Sequence, residues 1–150
     1  MDRTPDAAES PPVRYRIDEP HFVVVATLDG DVTFADLCMT QDAILSDPAY
    51  RPGMSLLVEC RALRSIPSEW EIRKLALDRL LRGRDMAVGR SAIVASDALG
   101  EAYANAWESF ADEELHDLRI FSNRDEACGW LGIPPIAGGR DAGGARPTSE

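Results

Sequence analysis

Residues Gly53 to Leu81 read GMSLLVECRALRSIPSEWEIRKLALDRLL. Leu56, Leu57 and Val58 make a continuous apolar run, the pattern of a strand covered on both faces, and a helical period takes over a few residues later. Between the two, Ser68 and Glu71 form an S-x-x-E capping box: the hydroxyl accepts from the backbone N–H three residues on, and the carboxylate reaches back. The helix predicted from Glu69 to about Arg82 buries Ile72, Leu75, Ala76 and Leu80, with Trp70, Leu77 and Leu81 widening the stripe. A buried strand feeding a capped helix is half of a βαβ unit, which points to an α/β fold.

Towards the N-terminus, Val13, Tyr15 and Ile17 alternate with Arg14, Arg16 and Asp18, the period of a half-exposed strand, and Glu19-Pro20 turns the chain. The more fully apolar His21 to Leu28 pairs with it as an antiparallel hairpin that exits at Asp29-Gly30. Thr33, with Asp36 three residues on, caps a helix from Phe34 to about Ser46, which Asp47-Pro48 ends. Towards the C-terminus, Gly83 and Gly89 bracket a connection, and Ala92 to Ala95 is a short buried strand. Ser96 or Asp97 caps a helix whose inner face carries Leu99, Ala102, Tyr103, Ala106 and Phe110. Leu118 to Phe121 is the last strand, and Ser122 or Asn123 caps a helix that Gly132 and Pro134 stop. The order β-β-α-β-α-β-α-β-α, with short connections, specifies an α/β mixed sheet bearing an N-terminal antiparallel hairpin.

At 150 residues, 45% of them hydrophobic, the chain has the size of one domain, predicted over 13–136. The polar, Gly- and Pro-containing segments 1–12 and 137–150 are expected to be disordered tails, because they bury too little to offset their ordering entropy. No apolar run approaches the length of a membrane span, and MDRTPDAAESPP is unlike a signal peptide, so a cytoplasmic protein is expected. Cys38, Cys60 and Cys128 lack framework spacing and read as reduced, buried thiols.

The net charge of −10 argues against nucleic-acid binding, which draws on phosphate neutralisation by Lys and Arg. The charge is uneven. Residues 61–90 carry eight basic against four acidic side chains, whereas Glu101, Glu108, Asp112, Glu113, Glu114 and Asp117 follow one another with no Lys or Arg between them. Two oppositely charged faces favour self-association or a charged partner, although solvated helix faces have the same composition.

His21 and His116 lie far apart in sequence and no two cysteines stand at zinc-finger spacing, so no metal site is predicted. Neither G-x-G-x-x-G nor a P-loop occurs at a strand–helix junction, and no cofactor is expected. Glu59 at the end of the central strand, with Arg61 and Arg64 beyond it, occupies the place where open α/β sheets hold ligands; a strand-end salt bridge uses the same residues. Trp70, Tyr103, Trp107 and Trp130 read as packing groups before they read as a ligand cage.

Several pieces, in order over about residues 13 to 133, resemble a known group. They are the opening hairpin, Thr33-Phe34-Ala35-Asp36-Leu37, the loop Asp47-Pro48-Ala49-Tyr50-Arg51-Pro52-Gly53, the strand Leu57-Val58-Glu59-Cys60-Arg61, Ala92-Ile93-Val94-Ala95, Asp125-Glu126-Ala127 and Trp130-Leu131. The chain resembles the STAS-like, or SpoIIAA-like, proteins, relatives of bacterial anti-sigma-factor antagonists. That resemblance implies a sheet covered mainly on one face by helices, and a small regulatory or binding domain instead of an enzyme. In those antagonists a phosphorylatable Ser follows an Asp at the start of the helix after the central strand, which makes Ser68 the candidate phospho-acceptor here. Pro67 stands in place of the acidic neighbour, and Glu69 and Trp70 in place of small residues. A phosphate at that helix N-terminus is favoured by the dipole, while the residue types alone make Ser68 an N-cap worth about 1 kcal/mol.

The reading reached is a non-enzymatic regulatory or scaffold domain working through protein contacts, as a homodimer or with another regulatory protein. Its predicted contact surface is Trp70, Arg73, Lys74, Arg79 and Arg82 on the second helix. The alternative is a small-molecule or lipid-binding carrier, which requires an apolar cavity between helices and sheet. No acid, base and nucleophile set marks an active site.

Overall fold

The computed structural model describes residues 11–82, 89–110 and 117–135. Its elements in chain order are β1 (Val13–Asp18), β2 (Val23–Asp31), α1 (Phe34–Ser46), β3 (Ser55–Ser65), α2 (Glu69–Arg82), β4 (Arg90–Val94), α3 (Ala98–Phe110), β5 (Asp117–Phe121) and α4 (Arg124–Leu131). The five strands lie side by side in sequence order, β1 antiparallel to β2 and the rest parallel. This is the predicted α/β architecture, a mixed sheet carrying an N-terminal hairpin.

Each parallel crossover advances one strand in the same direction, and crossovers are right-handed, so the intervening helices fall on one face. Accordingly α1, α2 and α3 cover one side of the sheet and α4 alone covers the other. Alternation along the strands serves both layers. Ala26, Leu28, Val58 and Ile93 face the three helices, while Val23, Val25, Leu57 and Ala92 face α4. Register places Leu57 between Val25 and Ala92, and Val58 between Ala26 and Ile93. Ile72, Leu75 and Ala76 supply the buried stripe of α2. Arg73 and Lys74 between them are exposed.

Local chemistry sets the helix ends. Thr33 and Asp36 form a reciprocal capping box on α1, and Asp47 closes its C-terminus. The Tyr15 hydroxyl donates to Asp47 Oδ2 at 2.9 Å, tying β1 to that end. Asp97 serves α3 by accepting from the Gly100 N–H at 2.8 Å. Asn123 caps α4, and Gly132, at φ +77°, ends it in the left-handed conformation that glycine adopts without steric cost. The predicted turn at Gly83 and the tails outside residues 11–135 fall outside the described residues.

One element is longer than its sequence pattern predicts. β3 continues past the apolar run to Ser65, pairing Gly30 with Leu63 and Asp31 with Ser65, with register shifts on either side of Gly30. Ala62, skipped by that pairing, takes φ +27° as the extra residue of a bulge. Replacing Leu57, fully buried between both neighbouring strands, by Ala should cost about 2–5 kcal/mol of unfolding free energy, read from urea denaturation of the full chain.

Candidate functional site

Three places in the fold concentrate chemistry. The first is the carboxyl end of β3, where alternation sends Glu59 to the α4 side of the sheet. It is 5% exposed, a burial that a carboxylate tolerates only with partners. Arg124, the first residue of α4, donates from Nε to Glu59 Oε2, and Arg61 Nη2 stands 3.6 Å from Oε1. Oε1 itself is buried with no hydrogen-bond donor among the described residues. Arg64 points elsewhere, donating to Asp31 Oδ2 at 3.0 Å, while the Ser65 hydroxyl donates to Asp31 Oδ1 at 2.9 Å. Ser65 first, and Arg64 second, hold the Asp31 carboxyl below its usual range. The three strand-end candidates are therefore split: Glu59 and Arg61 share a site and Arg64 does not. Arg124, the strongest partner of Glu59, had no sequence signal beyond its place after a capping Asn.

The second place is the outer face of α2. Ser68 is exposed at its N-terminus, accepting from the Glu71 N–H at 3.1 Å while the Ser68 N–H donates to Glu71 Oε1 at 3.0 Å. At 100° per residue, Trp70, Leu77 and Leu81 fall within about 40° of one another. They are 63%, 48% and 85% exposed, so the residues that the helical period assigned to a widened inner stripe form a separate apolar line facing solvent. Arg73 and Lys74 flank it, each exposed and each placed over an aromatic ring, Phe110 at 5.8 Å and Phe34 at 5.6 Å. Arg82 is engaged by Asp78 at 2.8 Å and Asp42 at 3.2 Å.

The third place lies beneath α2. Arg79 leaves the predicted contact surface and turns inward, its guanidinium 4.5 Å from the centre of the Trp107 ring and its Nε donating to Gln41 Oε1 at 3.1 Å. Gln41 is buried on α1 and donates in turn to Asp78 Oδ2 at 2.7 Å, so one amide clamps α1 to α2 and fixes the guanidinium plane. Burial lowers the Arg79 pKa, opposed by Tyr103, Tyr50 and Asp78. Next to it a cavity of about 70 Å³ separates α1, α2 and α3 from the sheet, lined by apolar groups such as Val24, Leu37, Val58 and Leu75 together with Tyr103 and Trp107. Sequence reasoning placed Tyr103 and Trp107 as packing groups; they pack edge to face, 6.5 Å apart, and also wall this space.

Of the acidic run, Glu101, Glu108 and Asp117 are exposed, and Asp112, Glu113 and Glu114 lie outside the described residues, as does His116. His21 bonds Asp18 at 2.9 Å. Among the described residues no group of three His, Cys, Asp or Glu side chains stands close enough to hold a metal ion, and no helix is long and apolar enough to cross a membrane. Cys128 is fully buried and Cys38 and Cys60 partly so. Burial, with Asp97 and Glu59 nearby, pushes the Cys60 thiol up to about 12.

The fold is SpoIIAA-like. A solved structure similar to this chain is that of an uncharacterised protein of the DUF3478 family with a SpoIIAA-like fold from Shewanella loihica PV-4, with a TM-score of 0.53 and 18% sequence identity over 79% of this chain and 91% of that one. At that identity the likeness concerns the fold alone. No protein-family model and no curated protein matches the sequence.

Two outcomes check this description. Arg124→Met should destabilise the protein by about 3 kcal/mol, the low end for removing one partner of a buried pair because Arg124 keeps some contact with water; Glu59→Met in the same chain should restore much of that loss in urea denaturation. With a pKa of about 12, Cys60 is thiolate in about one molecule in ten thousand at pH 8, so Ellman's reagent should leave it unmodified in the folded protein.

Proposed function

We propose that this protein is a non-enzymatic regulatory or scaffold domain that works in the cytoplasm through protein contacts made by the outer face of α2. One observation carries the reading: Trp70, Leu77 and Leu81 are aligned in solvent along one side of a helix whose core-facing side is already filled by Ile72, Leu75 and Ala76. Aromatic and aliphatic anchors bordered by cations are the composition of an interface centre, and scattered surface leucines do not align along one helix. Arg73 and Lys74 select a partner with acidic groups around an apolar patch, either a second copy of the chain or another regulatory protein. The SpoIIAA-like fold is consistent with such a role. Ser68 caps the N-terminus of the same helix, two residues before Trp70, where a phosphate would add charge near the contact.

A second reading, carriage of a small molecule, is favoured by the cavity under α2. A water needs roughly 10–15 Å³ of such space, so about 70 Å³ corresponds to about five to seven water-sized positions, the scale of a small molecule.

Sedimentation velocity of the full chain over a concentration series tests the first reading. Self-association is expected, and Leu77→Glu with Leu81→Glu should weaken it by about tenfold or more, since both leucines would trade apolar contact for buried charge. A chain that stays monomeric throughout, or a dimer indifferent to the double substitution, overturns the homodimer.

A further inference from the structure

The cavity and the inward cation adjoin one another, and neither accounts for the other's presence. A guanidinium presents five N–H donors. Among the described residues Arg79 finds one hydrogen-bond acceptor, Gln41 Oε1 at Nε, and no carboxylate forms an ion pair with it, although Arg61, Arg64, Arg82 and Arg124 all have one. The terminal nitrogens are thus left with donor capacity at the wall of a space lined mainly by apolar groups such as Val24, Leu37 and Val58, with Thr40, Tyr50 and Tyr103 also on its wall. The nearby polar groups reinforce that balance. Gln41 has its amide committed to Arg79 and Asp78, and the Asp78 carboxylate is itself taken by Gln41 and Arg82. Burial opposes the charged form of half-buried Arg79, and the Asp78 carboxylate that favours it is shared with Gln41 and Arg82. Trp107 behind the guanidinium keeps the fork in one plane, the arrangement in which two parallel N–H donors meet the two oxygens of a carboxylate.

We propose that this cavity is a binding site for a short organic acid of about five to seven non-hydrogen atoms in all, a carboxylate on a short apolar body, with Arg79 as the anchor of the carboxylate. This rests on the small-molecule reading of the cavity and names its ligand class. A carboxylate fits better than a phosphate because one guanidinium, with no second cation and no helix N-terminus lining the space among the described residues, balances a single negative charge. The apolar body replaces water against the aliphatic wall, and the acid supplies the charge that the fold leaves out.

The test uses the full chain, with pentanoate, its uncharged counterpart pentanamide, and dodecanoate as probes, followed by calorimetric titration and by the indole and arginine N–H resonances. Pentanoate should bind saturably and shift the Trp107 indole and Arg79 Nε signals, and pentanamide should bind at least about tenfold more weakly. Arg79→Met should lose pentanoate binding to the same extent, Arg79→Lys should keep part of it, and Arg64→Met, at an exposed position away from the cavity, should leave it unchanged. The pentanoate and pentanamide comparison needs only the unaltered protein, so it stands even where a variant fails to fold. Equal binding of pentanamide, or full binding of pentanoate by a folded Arg79→Met chain, overturns the anchor while leaving the cavity as a small-molecule site. Dodecanoate bound as tightly as pentanoate overturns the assigned size. Failure of all three probes at tens of millimolar overturns both the anion site and the small-molecule reading.

Discussion

Burial of β3 on both faces constrains everything else in this molecule. A central parallel strand has no solvent side, so each of its residues from Leu56 to Cys60 must be matched by one of two helical layers. Apolar residues meet that demand by packing. Glu59 cannot, and its position at the end of the strand, facing α4, obliges the first residue of that helix to be a cation. The lone helix on the second face therefore does two jobs: it covers Leu57 and Ala92, and it neutralises the strand end. The same face-by-face alternation directs Cys60 towards α3, against Gly100, where an added Cβ would stand 3.3 Å from that of Cys60 and 3.1 Å from that of Ala95. A thiol in that setting is packing material, not a nucleophile.

The second helix carries most of what is distinctive. Its inner stripe joins the core, its outer line of Trp70, Leu77 and Leu81 remains uncovered, and Arg79 lies on the inner side at the cavity wall. Because α1 and α2 are joined through the Gln41 amide, and α2 and α3 through stacking of Arg79 on Trp107, a single cation links the three helices over one face of the sheet. The proposed protein contact and the proposed acid site thus sit on opposite sides of one helix. Any displacement of α2 would move both.

Much of the fold is legible in residues close in sequence. The capping boxes at Thr33 and Ser68 and the cap at Asn123 depend on bonds spanning three residues, so their spacing alone declares them. The apolar run at Leu56 to Val58 and the short runs around Ile93 and Ile120 reveal parallel strands, and short connections between them leave few topologies. The extension of β3 to Ser65 is not legible locally because Arg61-Ala62-Leu63-Arg64 is neither an apolar run nor strictly alternating; pairing with Gly30 and Asp31 across a bulge holds it in the sheet. Helical periodicity grouped Trp70, Leu77 and Leu81 with the core of α2, yet a stripe that wide exceeds what one sheet face and two neighbouring helices cover.

The sequence by itself determined the element order, the helix boundaries, the two-sided burial of the central strand and the α/β mixed sheet with its N-terminal hairpin, because these follow from local hydrogen bonds and from the period of apolar residues. Tertiary structure alone decided the direction of Arg79, the partnership of Glu59 with a cation 65 residues away, the separation of Arg64 from that pair, and the space left between helices and sheet. Those are products of side chains meeting across the fold. Their distances depend on how helices seat on a twisted sheet, which no short window of sequence records.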